Sequence, residues 1–338
     1  MTTDLSTYQK VRTSAGFFDA ALAYGRLIAK GKDALDLLNR LSTNDLTPII
    51  DNYPLAIQTV LTNEKGRIID MLTVVRDKIG HVMLVTSANK EQDVIQWLDK
   101  YTIMEDAQFI RASEGFAQFL IWGPKASEVL TRFGEVGAVE MMGVLGMEIN
   151  SIKATILKES NERFWIFTVS ENGEALRSSL EVAVLAANGG IIDDELFEIL
   201  RVEKGIPIAP NELNDKHNPL ETTQTASAVS FTKGCYIGQE VIARLDAQGK
   251  VQRQLVGLKF GDSLPSTGDR ISDESLAGVS PLGDEIGEIT SIANSPSFGN
   301  IGLGYVRAKH ANPGKVVSVK DSEGNKFSAT LVKLPFDD

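Results

Sequence analysis

The side chains best suited to chemistry in this chain gather in one octapeptide, Lys233-Gly234-Cys235-Tyr236-Ile237-Gly238-Gln239-Glu240. It holds the only cysteine. Gly234 and Gly238 allow the backbone to bend tightly, or to approach a ligand closely, where a Cβ would collide. The run 240–245 reads as a helix beginning at Gln239, so Cys235 lies near a helix N-terminus with Lys233 two residues before it. Both features favour a thiolate. No general base adjoins it in sequence: the histidines are His81, His217 and His310. His217, in a polar loop, is the one that could approach through space. A structural cysteine held in a turn is the alternative.

Two carboxylates stand where apolar residues are expected. Along the strand-like run 67–76, Ile68, Asp70, Leu72 and Val74 share one face, while Ile69, Met71 and Val75 make the other apolar too. Asp70 must therefore be paired, protonated or functional, the plain reading being a carboxylate satisfied by backbone amides. In the segment 194–205, Leu196, Ile199 and Leu200 define a helical face whose next position is Glu203. Gly205 and Pro207 suit the helix end. The alternative for Glu203 is an exposed helix-terminal glutamate paired with Arg201 or Lys204.

The elements that must position these residues follow from periodicity. A strand at 22–29 leads to a helix from Asp33, whose carboxylate can cap it. Three strand-like runs, 55–62, 67–76 and 81–86, precede a helix at 89–101. The order recurs as a strand at 116–122, a helix at 124–133, strands at 147–157 and 163–169, and a helix at 173–187. The polar stretch 209–230 is a long loop of the kind that lines sites. From about Arg253, short strands at 255–260, 285–292, 301–306, 316–320 and 327–334 alternate with turn residues and predict a small antiparallel barrel. The expected fold class is α+β: a duplicated ferredoxin-like α/β body followed by a C-terminal antiparallel β-barrel. The expected divisions are 1–110, 111–250 and 251–338.

Composition limits the function. A chain of 338 residues exceeds one ordinary core. Its net charge of -11 argues against a nucleic-acid surface. One cysteine forms no internal disulfide and cannot by itself hold an iron-sulfur cluster. No apolar run approaches membrane-spanning length and no basic-then-apolar leader opens the chain, so a soluble cytoplasmic protein without membrane partners is expected.

The octapeptide fills every fixed position of K-G-C-Y-x-G-Q-E, and so resembles the YgfZ-type folate-binding proteins of iron-sulfur cluster assembly, relatives of the glycine-cleavage T-protein. Further segments resemble the T-protein itself: Arg12-Thr13 through Asp19 with Asn44-Asp45, Leu200 to Pro207 (R-L-E-A-G-x-P), and Gly287 to Ser291 with Ser295-Pro296 (G-x-I-T-S...S-P). Gly66-Arg67-Ile68-Ile69-Asp70-Met71 resembles G-G-x-x-D-D, with Met71 replacing the second aspartate. The run T-G-Y-T-G-E-x-G-Y-E is absent.

The resemblance implies tetrahydrofolate, or a one-carbon derivative, as cofactor, and iron-sulfur client or assembly proteins as partners. Glu203 and Asp70 are implied at the pterin, Lys233 and Arg244 are candidates for the glutamate tail, with surface salt bridging as their plain alternative, and Tyr236 and Gln239 are also expected to bind folate. The implied function is a folate-binding accessory protein of cluster assembly or repair, with Cys235 active. The alternative is a folate-dependent aminomethyltransferase with Asp70 catalytic. No resident metal is expected.

Overall fold

The computed structural model describes residues 4–51, 54–262, 264–276, 284–321 and 323–336. The chain divides into two compact units, one of residues 1–63, 69–196 and 227–237, the other of 64–68, 197–226 and 238–338.

The first unit contains two sheets built the same way. One has five strands in the spatial order Leu55–Thr62, Ile68–Arg76, Val82–Ser87, Tyr24–Lys30, Gln108–Arg111. The other has six, in the order Val144–Ile149, Ile152–Lys158, Arg163–Val169, Phe116–Trp122, Gly16–Asp19, Gly190–Ile192. In chain order each sheet follows β-α-β-β-β-α-β, and removing Gly16–Asp19 makes the two spatial orders identical. The duplicated body is therefore visible in topology although the sequence carries no obvious repeat.

Apolar side chains from each sheet meet their own helices. Leu27, Leu72 and Leu84 pack with Leu37, Leu38 and Leu41 of helix Ala34–Leu41 and with Val94 and Leu98 of helix Glu91–Asp99. Phe119, Ile156, Phe164 and Ile166 pack with Leu176 and Leu180 of helix Gly173–Ala186. A buried arginine links the two sheets: Arg26 Nη1 donates to Gln118 Oε1 at 3.0 Å.

Two expectations for this unit change. The run 147–157 is not one strand, because Asn150 and Ser151 take φ of +49° and +67° and turn the chain as a type I′ hairpin does. Asp33 makes no side-chain capping bond. Its carboxylate instead accepts from the Asp106 N–H at 2.9 Å.

In the second unit the strands Arg253–Phe260, Gly299–Arg307, Glu285–Ser295, Arg270–Ser272, Val316–Lys320 and Lys326–Val332 close into an antiparallel barrel. The short strand Arg270–Ser272 was not legible in sequence. At 3 residues it is too brief for alternation to register. Helix Asp194–Lys204 ends at Gly205, whose φ of +66° places it in the left-handed region. A Cβ there would also come within 2.9 Å of the Leu334 side chain. Gly205→Ala is expected to lose about 1–3 kcal/mol from the left-handed penalty plus crowding, read as a lower urea midpoint at unchanged slope.

Candidate functional site

In the second unit, the 197–204 part of helix Asp194–Lys204 carries Glu203 into a dry setting. The residue is 1% exposed, so the exposed alternative considered for it does not hold. Its Oε1 accepts from Ser295 Oγ at 2.5 Å. Ser295 Oγ itself accepts from the N–H groups of Ser297 at 3.1 Å and Phe298 at 3.0 Å. With those donors on its lone pairs, the hydroxyl has one proton, and that proton points at Glu203.

Two residues earlier on the helix, Arg201 is fully buried. Its guanidinium binds both carboxylate oxygens of Glu198, donates to the Ile206 carbonyl at 3.1 Å and Glu212 Oε2 at 3.3 Å, and donates to Ser291 Oγ at 2.6 Å. Ser291 Oγ donates in turn to Glu212 Oε1 at 2.6 Å. Tyr305 Oη donates to the Glu212 carbonyl at 3.0 Å, and burial beside Glu212 and Glu221 pushes its pKa up.

The loop that reads as polar in sequence is therefore partly interior. Glu212, His217 and Glu221 are all buried. His217 is not solvated as a loop histidine usually is: its ring stacks on Tyr305 at 3.5 Å, and its Nδ1 lies 3.1 Å from Glu221 Oε2. Helix Gln239–Ala247 begins after Gly238, whose φ of +85° requires a glycine. Gln239 is half-buried and Arg244 exposed on that helix.

The octapeptide straddles the two units, and its first five residues belong with the first. There Cys235 is exposed. A Cβ on Gly234 would meet nothing within 4 Å, so crowding does not account for that glycine. Lys233 does not extend its ammonium toward solvent for a folate tail. The Nζ is turned to Asn39, Ser42 and Asn44 and lies 5.4 Å from the centre of the Tyr236 ring. Burial pulls the Lys233 pKa down to about 8 against the attraction of Asp45, and burial pushes the Tyr236 hydroxyl up to about 12.

Asp70 is fully buried on strand Ile68–Arg76, as the apolar pattern around it requires. Ser87 closes on it from the neighbouring strand: its Oγ donates to Oδ1 at 2.5 Å and its N–H to Oδ2 at 3.0 Å. Burial raises the carboxyl pKa to about 6, while the Ser87 bonds and Lys90 act in the other direction.

The structure thus brings Lys233 and Tyr236 together in one unit, and Glu203 with Ser295 in the other. The segments Leu200 to Pro207 and Gly287 to Ser295, separate in sequence, meet residue on residue: Arg201 with Ser291, Glu203 with Ser295.

The GCVT N-terminal domain family matches residues 4–233, and the glycine cleavage T-protein C-terminal barrel domain matches residues 253–338. The chain belongs to the glycine cleavage T-protein family. It is 28% identical to an aminomethyltransferase of Caldanaerobacter subterraneus, covering 93% of this chain and 83% of that protein. It is also 28% identical to an aminomethyltransferase of Geobacillus kaustophilus, covering 97% and 89%. The crystal structure of the glycine cleavage system aminomethyltransferase T from Bartonella henselae superposes with a TM-score of 0.82 at 22% identity, over 98% of this chain and 89% of that one. This likeness establishes the T-protein fold. Among the described residues, no helix is long and apolar enough to cross a membrane.

Arg201 and Glu212 were missed as site residues because a buried arginine and a loop glutamate look like ordinary surface charges until their partners are known. The repeated hydroxyls Ser291 and Ser295 were the available signal.

Ser295→Ala removes one donor to Glu203 and one acceptor for the Ser297 and Phe298 N–H groups. A loss of about 1–3 kcal/mol is expected, measured as a fall in the denaturant midpoint. Asp70 has a folded pKa above its ordinary value of 3.8. Its contribution to stability is therefore whole below about pH 4 and is lost as the pH rises through about 6. Asp70→Asn should flatten that part of the stability-versus-pH curve, followed by thermal unfolding from pH 4 to 7.

Proposed function

We propose that this protein binds tetrahydrofolate, or a one-carbon derivative of it, and works in folate-dependent transfer of the aminomethyltransferase type. The observation that carries this reading is Glu203, a desolvated carboxylate on the family's helix, aimed by the Ser295 hydroxyl. A pterin presents an exocyclic amine and a ring N–H side by side. A fixed carboxylate accepts both as a bidentate pair, and it does so more strongly where water is excluded. The donor and acceptor chemistry therefore fits the pterin. Arg244, exposed on helix Gln239–Ala247, suits the anionic tail, which remains in water. Gln239, at the start of the same helix, can bind a polar edge of the cofactor.

When bound, the folate supplies the amine that accepts the one-carbon unit, and the chain's own residues orient it and manage protons. Asp70 is the candidate for proton handling, since a carboxyl with a pKa of about 6 can hold or release a proton near neutrality. Met71, in place of the second aspartate, leaves that task to one carboxyl. The similarity to aminomethyltransferases over nearly the whole chain supports this reading.

A second reading is favoured by one specific observation, the exposed Cys235 within K-G-C-Y-x-G-Q-E. Here the protein is a YgfZ-type accessory factor whose thiol serves iron-sulfur client or assembly proteins, and the cluster belongs to the partner. In this reading Glu203 still binds folate.

Calorimetry with tetrahydrofolate tests the shared element. Wild type should bind saturably, and Glu203→Gln should weaken binding by about 10- to 100-fold through loss of a charge-assisted pair. A folded wild type that does not bind ends both readings. Aminomethyl transfer and iron-sulfur enzyme maturation then separate them. Loss of transfer in Asp70→Asn but not in Cys235→Ser supports the transferase, and loss of maturation in Cys235→Ser with folate binding intact supports the accessory factor.

A further inference from the structure

The lysine two residues before Cys235 has a position that its sequence context does not suggest. The last carbonyls of helix Ala34–Leu41 carry partial negative charge, and Ser42 at its end satisfies one of them, donating from Oγ to the Leu38 carbonyl at 2.8 Å. Lys233 Nζ reaches the Asn39 carbonyl and two more just past the helix from almost two hundred residues away. It lies 2.6 Å from the Asn39 carbonyl, 3.0 Å from Asn39 Oδ1, 2.9 Å from the Ser42 carbonyl and 2.5 Å from the Asn44 carbonyl. Four oxygens surround three N–H bonds, and the Tyr236 ring lies close by, its centre 5.4 Å from the nitrogen. An ammonium suits such a cage, whereas a planar guanidinium or a neutral side chain does not.

The surrounding chain is tied to the same place. Asn44 Nδ2 donates to the Ser227 carbonyl at 2.8 Å, Thr43 Oγ1 to the Ala228 carbonyl at 2.6 Å, and the Ser230 N–H to the Thr43 carbonyl at 3.0 Å. On the far side of the cysteine, Thr62 Oγ1 donates to the Ile237 carbonyl at 2.7 Å. Cys235 is exposed between two anchors, Lys233 and Ile237. The K-G-C spacing places the ammonium in the cage and leaves the thiol one glycine beyond it.

We propose that Lys233 is a positioning residue: its ammonium, enclosed by the oxygens of Asn39, Ser42 and Asn44, latches the segment 230–237 to the end of helix Ala34–Leu41 and so holds Cys235 in a fixed, solvent-facing position. The latch is independent of the folate reading, since it positions Cys235 whichever transfer the protein performs.

The single cysteine makes the test direct. A nitroxide label on Cys235 in the full-length protein reports the mobility of this segment alone. In Lys233→Ala the label should tumble about threefold faster, on the nanosecond scale of loop motion. Added n-propylammonium, which replaces the atoms removed from Cγ to Nζ, should restore wild-type mobility, and tetramethylammonium, of equal charge but without N–H groups, should not. Unchanged mobility in Lys233→Ala overturns the latch. So does increased mobility that neither cation reverses or that both reverse equally. If Lys233→Ala does not fold, Lys233→Met decides, because it keeps the apolar stem and loses only the donors. Its label should be mobile and indifferent to amine, and wild-type mobility there is the contrary result.

Discussion

The arrangement of the second unit depends on one buried ionic link, Arg201 with Glu212 across Ser291. Taking a guanidinium and a carboxylate out of water costs several kcal/mol each, and the attraction between them offsets this only when every remaining donor and acceptor is engaged. Here Arg201 is also bound by Glu198 and the Ile206 carbonyl, and Glu212 by the Ile208 N–H. Losing one partner from such a pair typically costs about 3–5 kcal/mol. That sensitivity is what fixes register. Once Arg201 has met Ser291, Glu203 meets Ser295 four residues further along the same strand, and its carboxylate is held in one orientation. Gly205 then turns the chain away in a conformation that a Cβ would strain.

The first unit solves a different problem, the fusion of two similar halves. Each sheet has its own helices and apolar interior, and polar groups join them: Arg26 to Gln118 by a hydrogen bond, and Tyr24 against Trp165 edge to face at 5.1 Å. On this frame Asp70 is closed to water beside Ser87, while the carbonyls of Asn39, Ser42 and Asn44 accept from Lys233. A carboxyl sealed by its neighbour and an ammonium sealed by carbonyls are opposite uses of the same frame. Burial shifts the proton affinity of both, raising that of Asp70 and lowering that of Lys233.

Much of this was legible in the sequence, for physical reasons particular to each element. Strands 55–62, 116–122, 163–169 and 316–320 agree with the structure residue for residue because their β-branched and aromatic runs end at clear turn signals. The hairpin at Asn150-Ser151 was not read, since neither residue is a glycine and the polar and apolar residues on either side of it, Met147-Glu148-Ile149 and Ile152-Lys153-Ala154, alternate as in a single strand. Glu203 and Asp70 stood out as carboxylates in apolar patterns, and both are buried. The surroundings of Lys233 were not legible, since its partners Asn39, Ser42 and Asn44, at and just past the end of the helix at 34–41, lie beyond the reach of any local pattern. His217 lies in a polar loop, yet its ring is buried against Tyr305, a partner known only from the fold, with Glu221 four residues on.

Family membership and the Glu203 geometry together put folate binding at the centre of the proposed function, and Asp70 and Cys235, both in the other unit, offer two different chemistries. A crystal structure of the protein with tetrahydrofolate bound tests that centre most directly. The account predicts the pterin's exocyclic amine and ring N–H both about 3 Å from the Glu203 carboxylate, with Ser295 still donating to it. A pterin bound elsewhere, with Glu203 facing Ser295 as it does now and touching no ligand, contradicts it.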